Sequence, residues 1–442
     1  MEILIKATQL ILSLSILVIF HEFGHFLASK IFGARVEKFY LFFDPWFSLF
    51  KFKKGDTEYG VGWLPLGGYV KISGMIDESM DKEAMKLPPQ PYEFRSKPAW
   101  QRLIIMLGGV TVNILLAIAI YIFMLYTWGE QYLPTSEAKY GITVNALGTE
   151  MGLRNGDKIL SVDGEKVEEF FKIPAKIILD DAKTIQVERD GQAMNIQIPA
   201  GFMSKLLKEK NADFIDVRIP FVVDRFSKPS SAKDAGIEKG DRIVGLNGQP
   251  TLYFNEFKLA VGRSKAQKVD ITVIRNTDTL NLPVAVTAAG MIGVAPKQNL
   301  PDFFTLNEKE FTLLEAIPAG TVKAYKSVGN YLKSLKLLFS PEVKAYESVG
   351  GFISIGNIFP AVWHWESFWS LTAFLSVMLA ILNVLPIPAL DGGHVMFLFY
   401  EIITRRKPSD KFLEYAQIVG MVLLLALLVF ANGNDVVKLF KH

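Results

Sequence analysis

Four stretches of the chain stay apolar long enough to cross a bilayer, which takes about 20 residues in a helix. The first runs from near Ala7 to Phe32, the second from near Leu103 to Tyr126, the third from near Phe368 into the 390s, and the fourth from near Ile418 to Phe430. Pro386 and Pro388 interrupt the third, and Phe412–Gln417 can lengthen the fourth. Between the second and third stretches the pattern changes. Alternating runs such as Thr184-Ile-Gln-Val-Glu-Arg189 and Val269-Asp-Ile-Thr-Val-Ile-Arg275 predict β-strands. From Lys309 to Ser340, apolar Leu313, Leu314, Ile317, Val322, Tyr325, Val328 and Leu332 recur at helical spacing. That segment suits either an ordinary packed helix or one lying on a membrane surface.

The β-rich region contains a repeat. Gly152-Leu-Arg-Asn-Gly-Asp-Lys-Ile-Leu-Ser-Val-Asp-Gly164 returns 84 positions later as Gly236-Ile-Glu-Lys-Gly-Asp-Arg-Ile-Val-Gly-Leu-Asn-Gly248. Each copy is followed by an amphipathic stretch and an alternating strand, which fits two tandem units of about 80 residues. The pattern resembles the PDZ domains of bacterial proteases. Such domains bind an extended peptide at a sheet edge. A lid or spacer is the plainer use of two β-rich units.

Composition agrees with a membrane protein carrying extramembrane parts: 50% of residues are apolar and 21% charged. The net charge of +3, with no basic or aromatic recognition pattern, excludes a nucleic-acid partner. The lack of cysteine excludes disulfides and thiolate metal sites. No small-residue cleavage site follows the first apolar stretch, so it reads as a retained span and not a signal peptide. Lys30, Arg35, Lys38, Lys51, Lys53 and Lys54 follow the first span; Arg95, Lys97 and Arg102 precede the second; Arg405, Arg406, Lys407 and Lys411 lie between the third and fourth. With four spans these basic loops share one side, the cytoplasm, and the region from Gly129 to Glu366 lies opposite.

Candidate chemistry sits inside the spans. His21-Glu22-Phe23-Gly24-His25 is an H-E-x-x-H sequence. On a helix its two imidazoles face one way and suit one zinc, with the glutamate as general base. Buried ionisable groups in a span are costly and mark function. A catalytic zinc takes three protein ligands and leaves a place for water. Asn383-Val-Leu-Pro-Ile-Pro-Ala-Leu-Asp391-Gly-Gly-His394 supplies an intramembrane carboxylate just after a broken helix. His21 and Asn383 each lie about 21–22 Å along their spans, so both motifs reach the cytoplasmic half of the bilayer. The set implies Zn2+ lowering the pKa of a water toward about 7 and Glu22 taking its proton. The substrate helix must unwind first, and a strand near the site and Asn383 are candidates to hold it. His394 is expected beside the site and not as a fourth ligand, which would close the open position.

In order and content these motifs resemble the site-2 protease family of intramembrane zinc metalloproteases, and within it the RseP-type bacterial subgroup. The resemblance covers nearly the whole chain. It implies a polytopic α-helical membrane protein of four transmembrane helices, with a membrane-associated β-hairpin and two tandem extracytoplasmic PDZ-like domains, in a bacterial inner membrane. The segments follow as 1–34, the first helix; 35–99, a cytoplasmic-side loop with a re-entrant hairpin; 100–128, the second helix; 129–218 and 219–300, the PDZ-like domains; 301–366, a connector; 367–404, the third helix; and 405–442, a loop and the fourth helix. By resemblance His21, His25 and Asp391 bind zinc, Glu22 is the catalytic base, and Gly67, Gly68 and Tyr69 belong to the hairpin and meet substrate. Partners implied are transmembrane segments of other proteins, such as anti-sigma factors and remnant signal peptides, and membrane lipid. Two departures stand out: Gly109-Val-Thr-Val-Asn113 where relatives often have Gly-Pro-x-x-Asn, and Val349-Gly-Gly-Phe352 where they often have Ser-Gly-Pro. Neither is expected to touch a zinc ligand.

Two rivals compete. A non-catalytic adaptor binding peptides through the PDZ-like pair would have no need of Glu22. A membrane hydrolase acting on lipid would keep the metal set but has no use for peptide-binding domains.

Overall fold

The computed structural model describes residues 1–75, 87–209, 214–338 and 350–440. Val349 and the end of the predicted connector helix at 339–340 lie outside the described residues, as do parts of the segments 35–99 and 301–366. The chain divides into two compact units.

The first unit holds residues 1–129 and the described residues from Glu310 onward. Four of its helices are long and apolar enough to cross a membrane: Glu2–Ile31, Ala99–Trp128, Trp365–Val384 and Asp410–Phe440. The last is much longer than the apolar stretch alone suggested, because Phe412 and Tyr415 continue its helix toward the N-terminus and the residues from Ala431 to Phe440 continue it toward the C-terminus. The first two helices cross at glycines. A Cβ on Gly24 would lie 2.2 Å from the Gly108 carbonyl oxygen, so only hydrogen permits this approach. The third apolar stretch is two helices. Trp365–Val384 stops before Pro386, and a new helix begins at Asp391 and ends at Thr404. A Cβ on Gly392 would meet the Leu385 carbonyl oxygen at 2.1 Å, so the turn folds tightly onto the new helix.

A helix from Leu313 to Leu338 packs one face on the second and third spans. Ala316 and Ala324 are buried, Tyr121 donates to Ser327 Oγ at 3.2 Å, and Tyr331 meets Phe374. Its Leu314, Val322, Tyr325 and Leu332 remain exposed, so the helix is a packed one with a second, apolar face.

Val36–Lys54 and Thr57–Ile72 form a sheet folded over twice. Phe39 pairs with both Val70 and Tyr59, and Tyr40 with both Tyr69 and Gly60. Lys38–Leu41 is therefore an inner strand. Gly68–Ile72 is one outer strand, and Phe50–Lys54 pairs with Thr57–Val61 on the far side. Phe42 and Trp46 take φ of 66° and 74° at the tip, where Trp63 Nε1 donates to the Pro45 carbonyl at 2.9 Å. Trp46 is 90% exposed.

The second unit spans Glu130–Lys309 and contains two apolar cores. One gathers Ile142, Leu153, Ile173, Ile185, Val187 and Phe214 around the sheet Lys158–Val162, Thr184–Arg189, Gln192–Gln197. The other gathers Ile243, Ile271, Val273 and Val284 around a sheet in which Lys268–Arg275 lies between Asp278–Ala285 and Arg242–Leu246. One clasp occurs in both. Arg189 donates from Nε and Nη2 to the two oxygens of Asp157 at 2.7 Å each, and from Nη2 to the Gly152 carbonyl. Arg275 does the same to Asp241, at 2.8 and 2.7 Å, and to Gly236. The repeated Gly and Asp thus hold the loop before each first strand to the end of a neighbouring strand. Phe303 and Phe304, placed by the sequence in a connector, pack into the first core, and Asn307–Lys309 pairs with Glu130–Tyr132. Their aromatic surface is what draws the chain back there.

Candidate active site

The first span turns Ser13, Leu17, His21, Gly24, His25 and Ala28 inward at three- and four-residue spacing. His21 and His25 are therefore buried one helical turn apart, with rings 4.9 Å between centroids. The glycine crossing lays the second span against them: a Cβ on Gly109 would sit 2.5 Å from His25 Nε2.

The new helix at Asp391 brings a carboxylate to the same point. Asp391 Oδ2 lies 3.1 Å from His21 Nε2 and 3.2 Å from His25 Nε2, and the two nitrogens are 3.3 Å apart. Among the described residues this is the one group of three such donors close enough to share a metal ion. The geometry fits zinc. Three ligands at 2.0–2.1 Å in a tetrahedral shell stand about 3.3–3.4 Å from one another. Asp391 Oδ2 is buried and accepts no hydrogen bond despite its two close nitrogens, as expected where lone pairs converge on a cation. The far ring nitrogens are held. His25 Nδ1 is 2.8 Å from the Ile105 carbonyl, which only accepts, so that nitrogen carries the proton and Nε2 offers its lone pair. His21 Nδ1 is 3.2 Å from Asn113 Nδ2, while Asn113 Oδ1 is buried without a partner; exchanging the two amide atoms lets Oδ1 accept from Nδ1–H and gives His21 the same tautomer as His25.

The remaining groups stand around this triangle. Glu22, next along the helix, faces the backbone N–H of Val70 on the outer strand of the hairpin sheet. A Cβ on Gly68 would lie 2.6 Å from Val18 and 3.6 Å from Glu22, so that strand runs hard against the first span. Asn383 Nδ2 is 3.3 Å from His21 Nε2. A cavity of about 670 Å3 opens from His21, Glu22, His25 and Asp391 along Gly68–Ile72, with His394 and Gln417 in its wall. Gly68 and Tyr69 line it; Gly67, at the turn with φ +149°, does not. Tyr69 spends its hydroxyl on Asp44, at 2.8 Å. His394 is not one of the converging donors.

A comparison with protein families decides the class. The family model of peptidase family M50 matches residues 9–427. The chain belongs to peptidase family M50. The regulator of sigma-E protease of Escherichia coli K12 is 28% identical over 452 residues, covering 97% of this chain and 98% of that one. The corresponding protein of Salmonella typhimurium strain 14028s is 27% identical over 466 residues, covering 99% of this chain and all of that one. A Campylobacter jejuni protein carrying a zinc metalloprotease name is 29% identical over 439 residues, covering 97% of this chain and 92% of that one. This M50 peptidase is an intramembrane zinc metalloprotease of the site-2 type, with four membrane helices and β domains.

Two features of the protease ran against the sequence reading. Gly109 and Asn113, noted only as a departure from the usual family pattern, both touch His21, because the glycine crossing brings the second span within contact of the first. Gln417 and Gly420 of the fourth span were not singled out at all. The available signal was polarity: Asn113 and Gln417 are amides inside apolar helices, and both are buried.

Proposed function

We propose that His21, His25 and Asp391 hold the zinc and that Glu22 is the general base for cleavage of peptide bonds within transmembrane segments of other proteins. The observation that carries this is the triangle of Nε2, Nε2 and Oδ2 at 3.1–3.3 Å, beside a glutamate, with both histidines in a helix apolar enough to cross a membrane. Zinc bound there supplies Lewis acidity to the scissile carbonyl and acidifies water. Glu22 takes the water's proton on its carboxylate and returns it to the leaving nitrogen. The outer strand Gly68–Ile72, which pairs with the inner strand on one side, offers its other edge to an unwound substrate, pairing backbone to backbone. Gly68 keeps that strand close enough to the first span for the paired segment to reach Glu22. Asn383 donates from Nδ2 to a substrate carbonyl.

The two cores of the second unit are PDZ-like domains in tandem, a reading supported by the repeated sequence and the repeated Asp–Arg clasp. They contact extracytoplasmic parts of substrates, while the active site lies toward the cytoplasmic side of a bacterial inner membrane. Two relatives are named regulators of sigma-E protease. By that likeness the substrates include anti-sigma factors, and remnant signal peptides are a second class. The test is cleavage of a single-span model substrate by purified wild type and by Glu22→Gln. Cleavage by wild type alone supports the reading. Equal cleavage by both overturns the role of Glu22. Specific binding of the substrate without cleavage by either favours a peptide-binding adaptor.

A further inference from the structure

The fourth span takes no part in the metal triangle, yet it grips the turn that delivers Asp391. Between Val384 and Asp391 the backbone has few ways to satisfy itself. Pro386 and Pro388 have no N–H to give. Ile387 N–H bonds the Leu385 carbonyl at 2.7 Å, and Leu390 N–H bonds Ile387 at 3.1 Å. That leaves Ala389, which holds φ at +77°, a conformation that a residue with a Cβ rarely adopts. Its N–H is taken by Gln417 Oε1 of the fourth span at 3.2 Å. Gln417 is only 6% exposed. One turn further along, Gly420 meets the same segment: a Cβ there would be 1.9 Å from the Pro388 carbonyl oxygen. A side-chain acceptor and a bare backbone on one helix face thus fit a single strained turn, two residues before the carboxylate.

We infer that Gln417 is a positioning residue for the metal centre: by accepting from Ala389 it holds the strained turn in the one conformation that sets Asp391 Oδ2 opposite His21 and His25. This rests on the proposed ligand set. The groups that orient ligands govern metal affinity nearly as strongly as the ligands themselves. Without Gln417 the turn can relax toward ordinary backbone angles and swing the first residue of the following helix away from the two nitrogens.

The experiment measures zinc affinity of the purified full-length protein by competition with a chromophoric chelator, independent of proteolysis. Gln417→Met keeps the volume and removes the acceptor; Gln417→Glu keeps an acceptor whether ionised or protonated. Gly420→Ala presses on the same turn from its other side. The expected result is a loss of about 10–100-fold in affinity for Gln417→Met. Gln417→Glu should stay close to wild type, and Gly420→Ala should weaken binding. Wild-type affinity in Gln417→Met, or an equal loss in Gln417→Glu, overturns the inference. Asp391→Ala run alongside separates the two levels: if it keeps wild-type affinity, the ligand assignment itself has failed; if it alone loses zinc, only the role of Gln417 has.

Discussion

Asp391 Oδ2 stands 3.1 Å from His21 Nε2, although the two residues come from opposite ends of the chain. The contact joins the middle of the first span to the first residue of the helix that follows the broken third span. If both are zinc ligands, removing either empties the site. Asp391→Ala and His21→Ala are each expected to leave the protein folded, without zinc by elemental analysis, and without cleavage of a transmembrane substrate. Stoichiometric zinc in either variant would argue against the assignment.

Glu22 offers a sharper separation, because it is beside the triangle and not part of it. Glu22→Gln is expected to keep full zinc content while turnover falls by about 10²–10⁴-fold, the usual contribution of a positioned proton acceptor. Parallel zinc analysis and single-turnover cleavage check both halves. Loss of zinc together with activity would make Glu22 a structural part of the metal site.

Asn113 reaches His21 from the second span, at Nδ1. Replacing it by Leu removes the polar partner of the ring nitrogen that faces away from the triangle. Zinc affinity should drop by about 10–100-fold with the fold intact. Circular dichroism and chelator competition on one preparation test this, and an unchanged affinity would reduce Asn113 to packing.

The Gly24–Gly108 crossing leaves no room for a methyl group. Gly24→Ala should force the two spans apart and lower stability by about 1–3 kcal/mol, the usual cost of overpacking. Because His25 is the next residue, zinc affinity should fall with it. Thermal unfolding in detergent measures the first effect. A variant as stable as wild type would show that the helices can slide.

The second unit predicts a pH dependence. Burial raises the Asp241 carboxyl, but the hydrogen bonds from Arg275 and from the Glu238 N–H outweigh it and hold the group below its ordinary 3.8. A group whose folded pKa is depressed contributes stability fully above its unfolded value, and loses it as pH falls through the folded one. The strands around Asp241 should therefore open in acid, below about pH 4. In Asp241→Asn part of that acid sensitivity should disappear, with a lower stability at neutral pH. Hydrogen exchange across 221–296 of the full-length protein, taken at several pH values, follows it directly.

The sequence alone was enough for what is local or periodic. Four apolar stretches set four helices long enough to cross a bilayer, because a bilayer leaves backbone groups no other partner, although the third stretch continues past its prolines as a separate helix. The i, i+4 spacing in His21-Glu22-Phe23-Gly24-His25 put two imidazoles on one helix face, a property of helix geometry needing no other part of the chain. The repeated Gly and Asp pointed to paired loops, though not to Arg189 and Arg275, whose clasp depends on strand register. Tertiary structure decided everything that depends on where distant backbones meet. Gly24 and Gly109 were visible only as members of motifs and Gly108 not at all, until the crossing made them the reason the second span touches His21. The fourth span carried no visible chemistry, since the hydrogen bond that the Ala389 N–H donates to Gln417 Oε1 has meaning only beside a strained turn. Periodicity reports which face of an element is buried; it carries no information about which other element buries it, and in this protein that choice brings His21, His25 and Asp391 together.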